Sequence, residues 1–163
     1  MKNEMCLEFE AIAVNESLAR VAVAAFVAPL NPTLEEISDI KTAVSEAVTN
    51  AIIHGYENWQ GYDVEKRSTT CKCPVHPGRV VLKCSLEDGY LTVEITDNGK
   101  GILDVEKAME PLYTTRPEQN RSGMGFAFME AFMDDLEVES IPGKGTIVTM
   151  KKKMDSGNWI EEA

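Results

Sequence analysis

The chain has 163 residues, 44% hydrophobic and 26% charged, which suits one globular domain that buries its own core without staples. A formal net charge of -11 makes a surface that repels a phosphate backbone, arguing against direct nucleic-acid binding and in favour of a basic protein partner. No apolar run has the length of a bilayer span, and Met1-Lys2-Asn3-Glu4 lacks a signal-peptide layout, so no membrane contact, a cytoplasmic location and reduced cysteines are expected.

Residues 5–13 set Met5, Leu7 and Phe9 against Glu8 and Glu10, the period-two pattern of a strand. Asn15 reads as the N-cap of a helix running to about residue 28, with Glu16 in its first turn, and Pro29 and Pro32 break it. Thr33 and Glu36 form a capping box that starts a long helix reaching about Tyr56, with Gly55 as its stop. Residues 58–78 turn polar, with Gly61, Pro74, Pro77 and Gly78, and read as a loop. Residues 80–86 and 90–96 are strands joined through Glu87-Asp88-Gly89, a hairpin signal. A short helix is expected at residues 105–109, a polar loop at 111–122, a helix at 125–133 and a strand at 136–140. Pro142-Gly143-Lys144-Gly145 then turns the chain into a last strand at 146–152. Helices grouped among hairpins predict a single α+β domain over residues 1–163. Its architecture would be a two-layer sandwich with a mixed, mostly antiparallel sheet covered on one face by helices.

Three segments carry chemistry. On the long helix, Ile37, Ile40, Val44, Ala47, Val48, Ala51 and Ile52 make an apolar stripe, and Glu46 and Asn50, one turn apart, share another face that His54 continues. A solvated polar face is the ordinary reading of such a pair. Here Glu46 lies among Val44, Ala47 and Val48, where a carboxylate can orient a hydroxyl and accept its proton, while the amide oxygen of Asn50 suits a hard cation such as Mg²⁺. Asp97 ends the run Leu91-Thr-Val93-Glu-Ile95-Thr-Asp97 and is followed by Asn98-Gly99-Lys100-Gly101. Read alone this is a strand-ending turn. A carboxylate emerging from a sheet also suits an exocyclic amine such as that of adenine, and Gly99 and Gly101 let a flat ring approach the backbone. Third, Arg121-Ser122-Gly123-Met124-Gly125-Phe126 opens a helix with glycines whose N–H groups can wrap a phosphate, and Arg121 can touch a terminal phosphate. The alternative is a glycine-rich entry to a core helix. No Gly-x-x-x-x-Gly-Lys-Ser/Thr run occurs, so this is not a P-loop. The cysteines are Cys6, Cys71, Cys73 and Cys84. Cys71 and Cys73 with His76 hint at metal, but the spacing is not Cys-x-x-Cys, and free thiols in a loop are the simpler reading.

Together the three segments resemble the N-box, first glycine box and second glycine box of the superfamily of gyrase, the heat-shock chaperone, histidine kinases and mismatch-repair ATPases. Asn3-Glu-Met5, Asn15-Glu-Ser17, Ala19-Arg20-Val21, residues 23–27, Ile40-Lys-Thr42, Val44 through Tyr56 and Arg121 through Phe126 carry a closer likeness. So do Thr114-Thr115, Met129-Glu130 and Gly145-Thr146. That likeness is to the small anti-sigma factor kinases of Gram-positive bacteria, nearest their sporulation branch, and it covers nearly the whole chain.

The resemblance implies a homodimer that holds sigma F away from RNA polymerase and, with ATP, phosphorylates a serine of the anti-anti-sigma factor. By position it makes Glu46 the general base and Asn50 the Mg²⁺ ligand. Asp97, helped by Thr146, would read adenine beside Gly99 and Gly101. Residues 111–122, with Thr114, Thr115 and Ser122, would be the ATP lid, Arg121 its phosphate-contacting arginine, and Gly123, Met124, Gly125 and Phe126 the phosphate loop. ATP and ADP are the implied nucleotides. Arg20 would dock both protein partners, which would therefore compete. Residues 58–79 are longer than the family's link between the N-box helix and the next strand, and read as a surface insertion. The other readings are an anti-sigma kinase of a stress sigma factor, a binding module whose shape ATP sets without catalysis, and a histidine autokinase fragment. The last is weak because the chain has no room for the dimerisation helices that carry the phosphorylated histidine.

Overall fold

The computed structural model describes residues 2–56, 78–110 and 124–154. Their elements run β1 (Asn3–Glu10), α1 (Asn15–Val27), α2 (Leu34–Asn50), β2 (Arg79–Glu87), β3 (Tyr90–Asp97), α3 (Val105–Met109), α4 (Gly125–Phe132), β4 (Asp135–Ile141) and β5 (Gly145–Lys153). One five-stranded sheet has the order β1-β2-β3-β5-β4, and every described pairing is antiparallel. The sheet expected as mixed and mostly antiparallel is thus wholly antiparallel among the described residues. The last strand lies inside the sheet, because the path through α3 and α4 carries the chain past it to the β4 edge.

Period-two alternation puts the apolar side chains on one face. The register lines up Leu7, Leu82, Ile95, Val148 and Val138 in one cross-strand row, and Met5, Cys84, Val93, Met150 and Leu136 in the next. A third row, nearer the nucleotide-box end of the strands, reads Phe9, Val80, Asp97, Thr146 and Ser140. The other face is polar, with Lys83 paired to Glu94 at 3.0 Å and Arg79 to Glu8 at 2.9 Å. Over the apolar face α2 packs between α1 and α4, burying Ile40, Ala43, Val44, Ala47 and Val48 in the same cluster as Val23, Val27 and Met129. At the far end of the sheet Lys152 reaches the helices. Its Nζ donates to Phe132 O, the last residue of α4, at 2.7 Å, and lies 3.4 Å from Asp39 of α2.

Local chemistry explains most element ends. Thr33 and Glu36 make the expected capping box, Thr33 Oγ1 accepting from Glu36 N at 3.1 Å and Glu36 Oε2 accepting from Thr33 N at 2.7 Å. Asp88 and Gly89 take φ of 52° and 81°, both positive, the backbone that matches a two-residue hairpin to strand twist. Three expectations are corrected. Asn15 is the first helical residue rather than the cap, which is Val14, and its Nδ2 donates to Glu10 O at 2.8 Å, closing the turn after a strand that ends at Glu10 and not at residue 13. Pro29 does not end the chain's coiling at once, since residues Ala28–Leu30 form a 3₁₀ turn that Asn31 stops at φ 51°.

Candidate functional site

The floor of the site is built where α2 ends. After Asn50 the helix widens into a π turn, Ala51–Gly55, so the long helix expected to reach Tyr56 is α-helical only to Asn50. The widening aims Gly55 O at the turn after β3, where it accepts from Lys100 N at 2.9 Å. A π turn of this kind is common at functional sites. Gly99 lies so close to Gly55 O that any Cβ would overlap it, and a Cβ on Gly55 would stand 2.9 Å from Asp97 Oδ1. The N-box helix and the first glycine box therefore meet through backbone that only glycines allow. Tyr56 fastens the joint from outside. Its hydroxyl donates to Arg79 O and accepts from Asn98 N at 2.7 Å, and its ring lies flat against Gly78.

Asp97 is 5% exposed, at the end of an otherwise apolar inward row. Its Oδ1 accepts from Gly99 N at 2.9 Å. Burial pushes the carboxyl up to about 6, and the backbone N–H groups of Gly99 and Thr146 oppose that rise. Beside it in the row, Thr146 Oγ1 lies 2.9 Å from Ser140 Oγ, which also accepts from Ile102 N at 2.7 Å and donates to Gly145 O at 3.0 Å. Gly101 takes φ 70° against Ile141 O, and Gly143 N donates to Lys100 O at 2.8 Å, so the first glycine box is tied to the β4–β5 turn as well.

Glu46 and Asn50 lie on one face of α2, both half-buried, at the edge of the core stripe. Gly125, the first residue of α4, sits against them. A Cβ there would stand 3.1 Å from Glu46 Oε2 and 3.3 Å from Asn50 Nδ2. Glycine leaves that space open between a carboxylate, a neutral amide and the N-terminal end of α4. The oxygens of Glu46 and Asn50 suit a hard cation such as Mg²⁺, the N-terminal end of α4 suits the negative charge of a phosphate, and the buried acceptor Asp97 suits an exocyclic amine.

The structure thus sets Glu46 and Asn50 against Gly125, and Asp97 beside Gly99 and Thr146 with Gly101 in the same turn, the end of α2 reaching the second group through Gly55. Met124 is the residue that caps α4, its carbonyl accepting from Phe128 N at 2.8 Å. Phe126 is half-buried and packs against the core. Thr114, Thr115, Arg121, Ser122 and Gly123 lie outside the described residues, as do Cys71, Cys73, His76 and nearly all of the 58–79 insertion. Among the described residues no cluster of His, Cys, Asp or Glu could hold a metal, Cys6 and Cys84 are free, and burial pushes the Cys84 thiol up to about 12. Arg20 stands apart on α1, half-exposed, with Nε 3.5 Å from Glu16 Oε1. The same oxygen accepts from Ser45 Oγ of α2 at 2.6 Å. Ser140 and Tyr56 hold the site and were not singled out from the sequence. The signal for Ser140 was its phase, since it alternates inward with Leu136 and Val138 and is the one hydroxyl among them.

Relatives place this geometry. The chain is 56% identical over 154 residues to the anti-sigma F factor of Clostridium botulinum (strain Eklund 17B / Type B), covering 94% of this chain and 96% of that one. It is 50% identical over 160 residues to the anti-sigma F factor of Bacillus subtilis (strain 168), covering 98% and 99%. A crystal structure of the RsbU and RsbW domains of a Mycobacterium tuberculosis protein superposes with a TM-score of 0.62 at 20% identity, over 93% of this chain and 32% of the other, a likeness of fold. The profile of the histidine kinase-like ATPase domain matches residues 9–152. The chain therefore belongs to the anti-sigma F factor family and is built on a histidine kinase-like ATPase domain.

Proposed function

We propose that this chain is a sporulation anti-sigma factor that binds sigma F, keeps it from RNA polymerase, and uses ATP to phosphorylate a serine of the anti-anti-sigma factor. The observation that carries the enzymatic half is the space at Gly125, open between Glu46 and Asn50 at the start of α4. The 50–56% identity to anti-sigma F factors supports the choice of sigma F over a stress sigma factor. A cytoplasmic homodimer fits the same reading, and no described helix is long and apolar enough to cross a membrane.

Each residue then has a task. Asp97 accepts from the adenine amine, with Thr146 beside it and Gly99 and Gly101 clearing room for the ring. The backbone around Gly123, Met124, Gly125 and Phe126 receives the phosphates at the N-terminal end of α4, where the helix dipole favours negative charge. Thr114, Thr115, Ser122 and Arg121 complete the nucleotide's cover, the arginine offsetting charge on the terminal phosphate. Asn50 holds Mg²⁺, which neutralises charge on the phosphate oxygens when bound. Glu46 takes the proton of the substrate serine as that oxygen bonds to the γ-phosphorus and the bond to the β–γ bridging oxygen breaks, releasing ADP. Arg20 anchors the two protein partners, one at a time.

Labelled γ-phosphate transfer to the anti-anti-sigma protein tests this. Glu46→Gln is expected to lower transfer by about 10²–10⁴-fold while leaving ATP binding in place. Undiminished transfer by that variant would remove Glu46 as the base, and a wild-type protein that binds ATP and sigma F but transfers nothing would leave a binding module in which ATP sets shape alone.

A further inference from the structure

We propose that Asn98 is a site of spontaneous deamidation that the folded first glycine box holds shut, so that only chains in which this turn opens are modified there. The sequence contains one Asn-Gly pair, Asn98-Gly99. In such a pair the backbone nitrogen of the glycine can attack the side-chain amide, and glycine has no side chain to hinder the approach. The bond from Gly99 N to Asn98 Cγ forms, the Cγ–Nδ2 bond breaks, and ammonia leaves with the proton that Gly99 N gives up. Water then opens the resulting five-membered imide at one carbonyl or the other. The product is aspartate, or isoaspartate with its side-chain carbon taken into the main chain.

The Asn98 side chain is exposed, so water and base reach it, whereas Gly99 is buried. Attack needs Gly99 N to lose its proton and to swing towards Cγ, and the fold opposes both. The Gly99 N–H is donated to Asp97 Oδ1 at 2.9 Å, and a carboxylate disfavours a second negative charge on the nitrogen it touches. The neighbouring N–H groups are held as well, Asn98 N by the Tyr56 hydroxyl at 2.7 Å and Lys100 N by Gly55 O at 2.9 Å. Gly99 lies against Gly55 O with no room for a Cβ, so its peptide plane turns only when the joint between the π turn and the glycine box opens. Isoaspartate adds a methylene to the main chain between the α-carbon at position 98 and Gly99 N, which displaces Gly99 from Asp97 and from Gly55. On the reading of Asp97 as the acceptor for adenine, a chain modified while open refolds without its nucleotide site.

The test follows aspartate and isoaspartate at position 98 by peptide mapping and mass spectrometry of the full chain, held in mildly alkaline buffer with and without urea. Deamidation is expected to be fast in unfolding urea and about 100-fold or more slower in folded wild type, as for any reaction that waits for local opening. Tyr56→Phe releases Asn98 N and is expected to deamidate about fivefold faster than folded wild type. Asp97→Ala frees the Gly99 N–H and is expected to deamidate faster still. Circular dichroism and urea midpoints establish that each variant is folded, and Tyr56→Phe serves if Asp97→Ala is not. Equal rates with and without urea, or no reaction at position 98 in urea, overturn the inference. So do folded variants that deamidate no faster than wild type. None of these readouts uses nucleotide, so the reading of Asp97 is tested apart from them. Undiminished ATP binding by chains carrying isoaspartate at position 98 would end that reading and leave the protected site standing.

Discussion

Asp97 combines two demands that oppose each other. As a buried carboxylate it is penalised when charged, and in its proposed role as acceptor for a base it works best charged. Its folded value of about 6 lies above the ordinary 3.8, so the folded state binds the proton more tightly than the unfolded chain does. The contribution to stability is then full below pH 3.8 and lost as pH rises through about 6, on the order of 3 kcal/mol. We expect the nucleotide-free Asp97→Asn variant to gain stability relative to wild type as pH rises from 4 to 7, read from urea midpoints. A gap that stayed constant or narrowed over that range would show the carboxyl already ionised without cost. ATP affinity should move the opposite way in wild type, weakening as pH falls below about 6, and the asparagine variant should lose about 10–100-fold at neutral pH with little pH dependence. Asp97 was legible because Leu91, Val93 and Ile95 fix the phase that turns it inward. The consequence of that phase for its proton was not, since it depends on the sheet that surrounds it.

At the scale of elements, α2 carries Glu46 and Asn50 and is held at both ends by different means. Its start is set by the Thr33–Glu36 box, which the sequence pattern Thr-x-x-Glu declares by itself. Thr33→Ala should cost about 1 kcal/mol in denaturant unfolding, with ATP affinity unchanged because the cap lies at the opposite end of the helix from Asn50. A loss of ATP binding as large as that expected on removing Asn50 would contradict that separation. The far end could not be read in the same way. Ala51-Ile-Ile-His54-Gly55 fits an α-helix by propensity, and its π turn goes with a tertiary contact, Lys100 N donating to Gly55 O, that no local pattern announces. The strands were legible to within a few residues because alternation and the Asp88-Gly89 turn are local signals. The end of β1 was not, because Ala11 and Ala13 continue an alternation that Asn15 interrupts by reaching back to Glu10 O.

Across the whole molecule, α1 faces outward beside the helix that bears Glu46. Glu16 touches both Arg20 and Ser45, so the residue proposed to dock protein partners is one carboxylate away from the helix proposed to transfer phosphate. Arg20→Ala is expected to weaken sigma F and the anti-anti-sigma factor together, each by about tenfold or more, in binding assays with ATP or ADP present. Loss of only one partner would mean separate docking sites. The fold class followed from the order of hairpins and helices, whereas the strand order β1-β2-β3-β5-β4 did not, because pairing β3 with β5 spans some fifty residues and leaves no local trace.

That strand order also governs when the protein becomes competent during its synthesis. Asp97 has no neighbour on its open side until β5 slots in between β3 and β4, and β5 is the last of the described strands to be synthesised. A nascent chain released through α4 alone presents Leu91, Val93 and Ile95 along an unfilled edge, without Thr146 beside Asp97. On the proposed reading of Asp97, capture of ATP waits for β5 to be made, and a chain stalled short of it would be a target for chaperones rather than a half-active regulator.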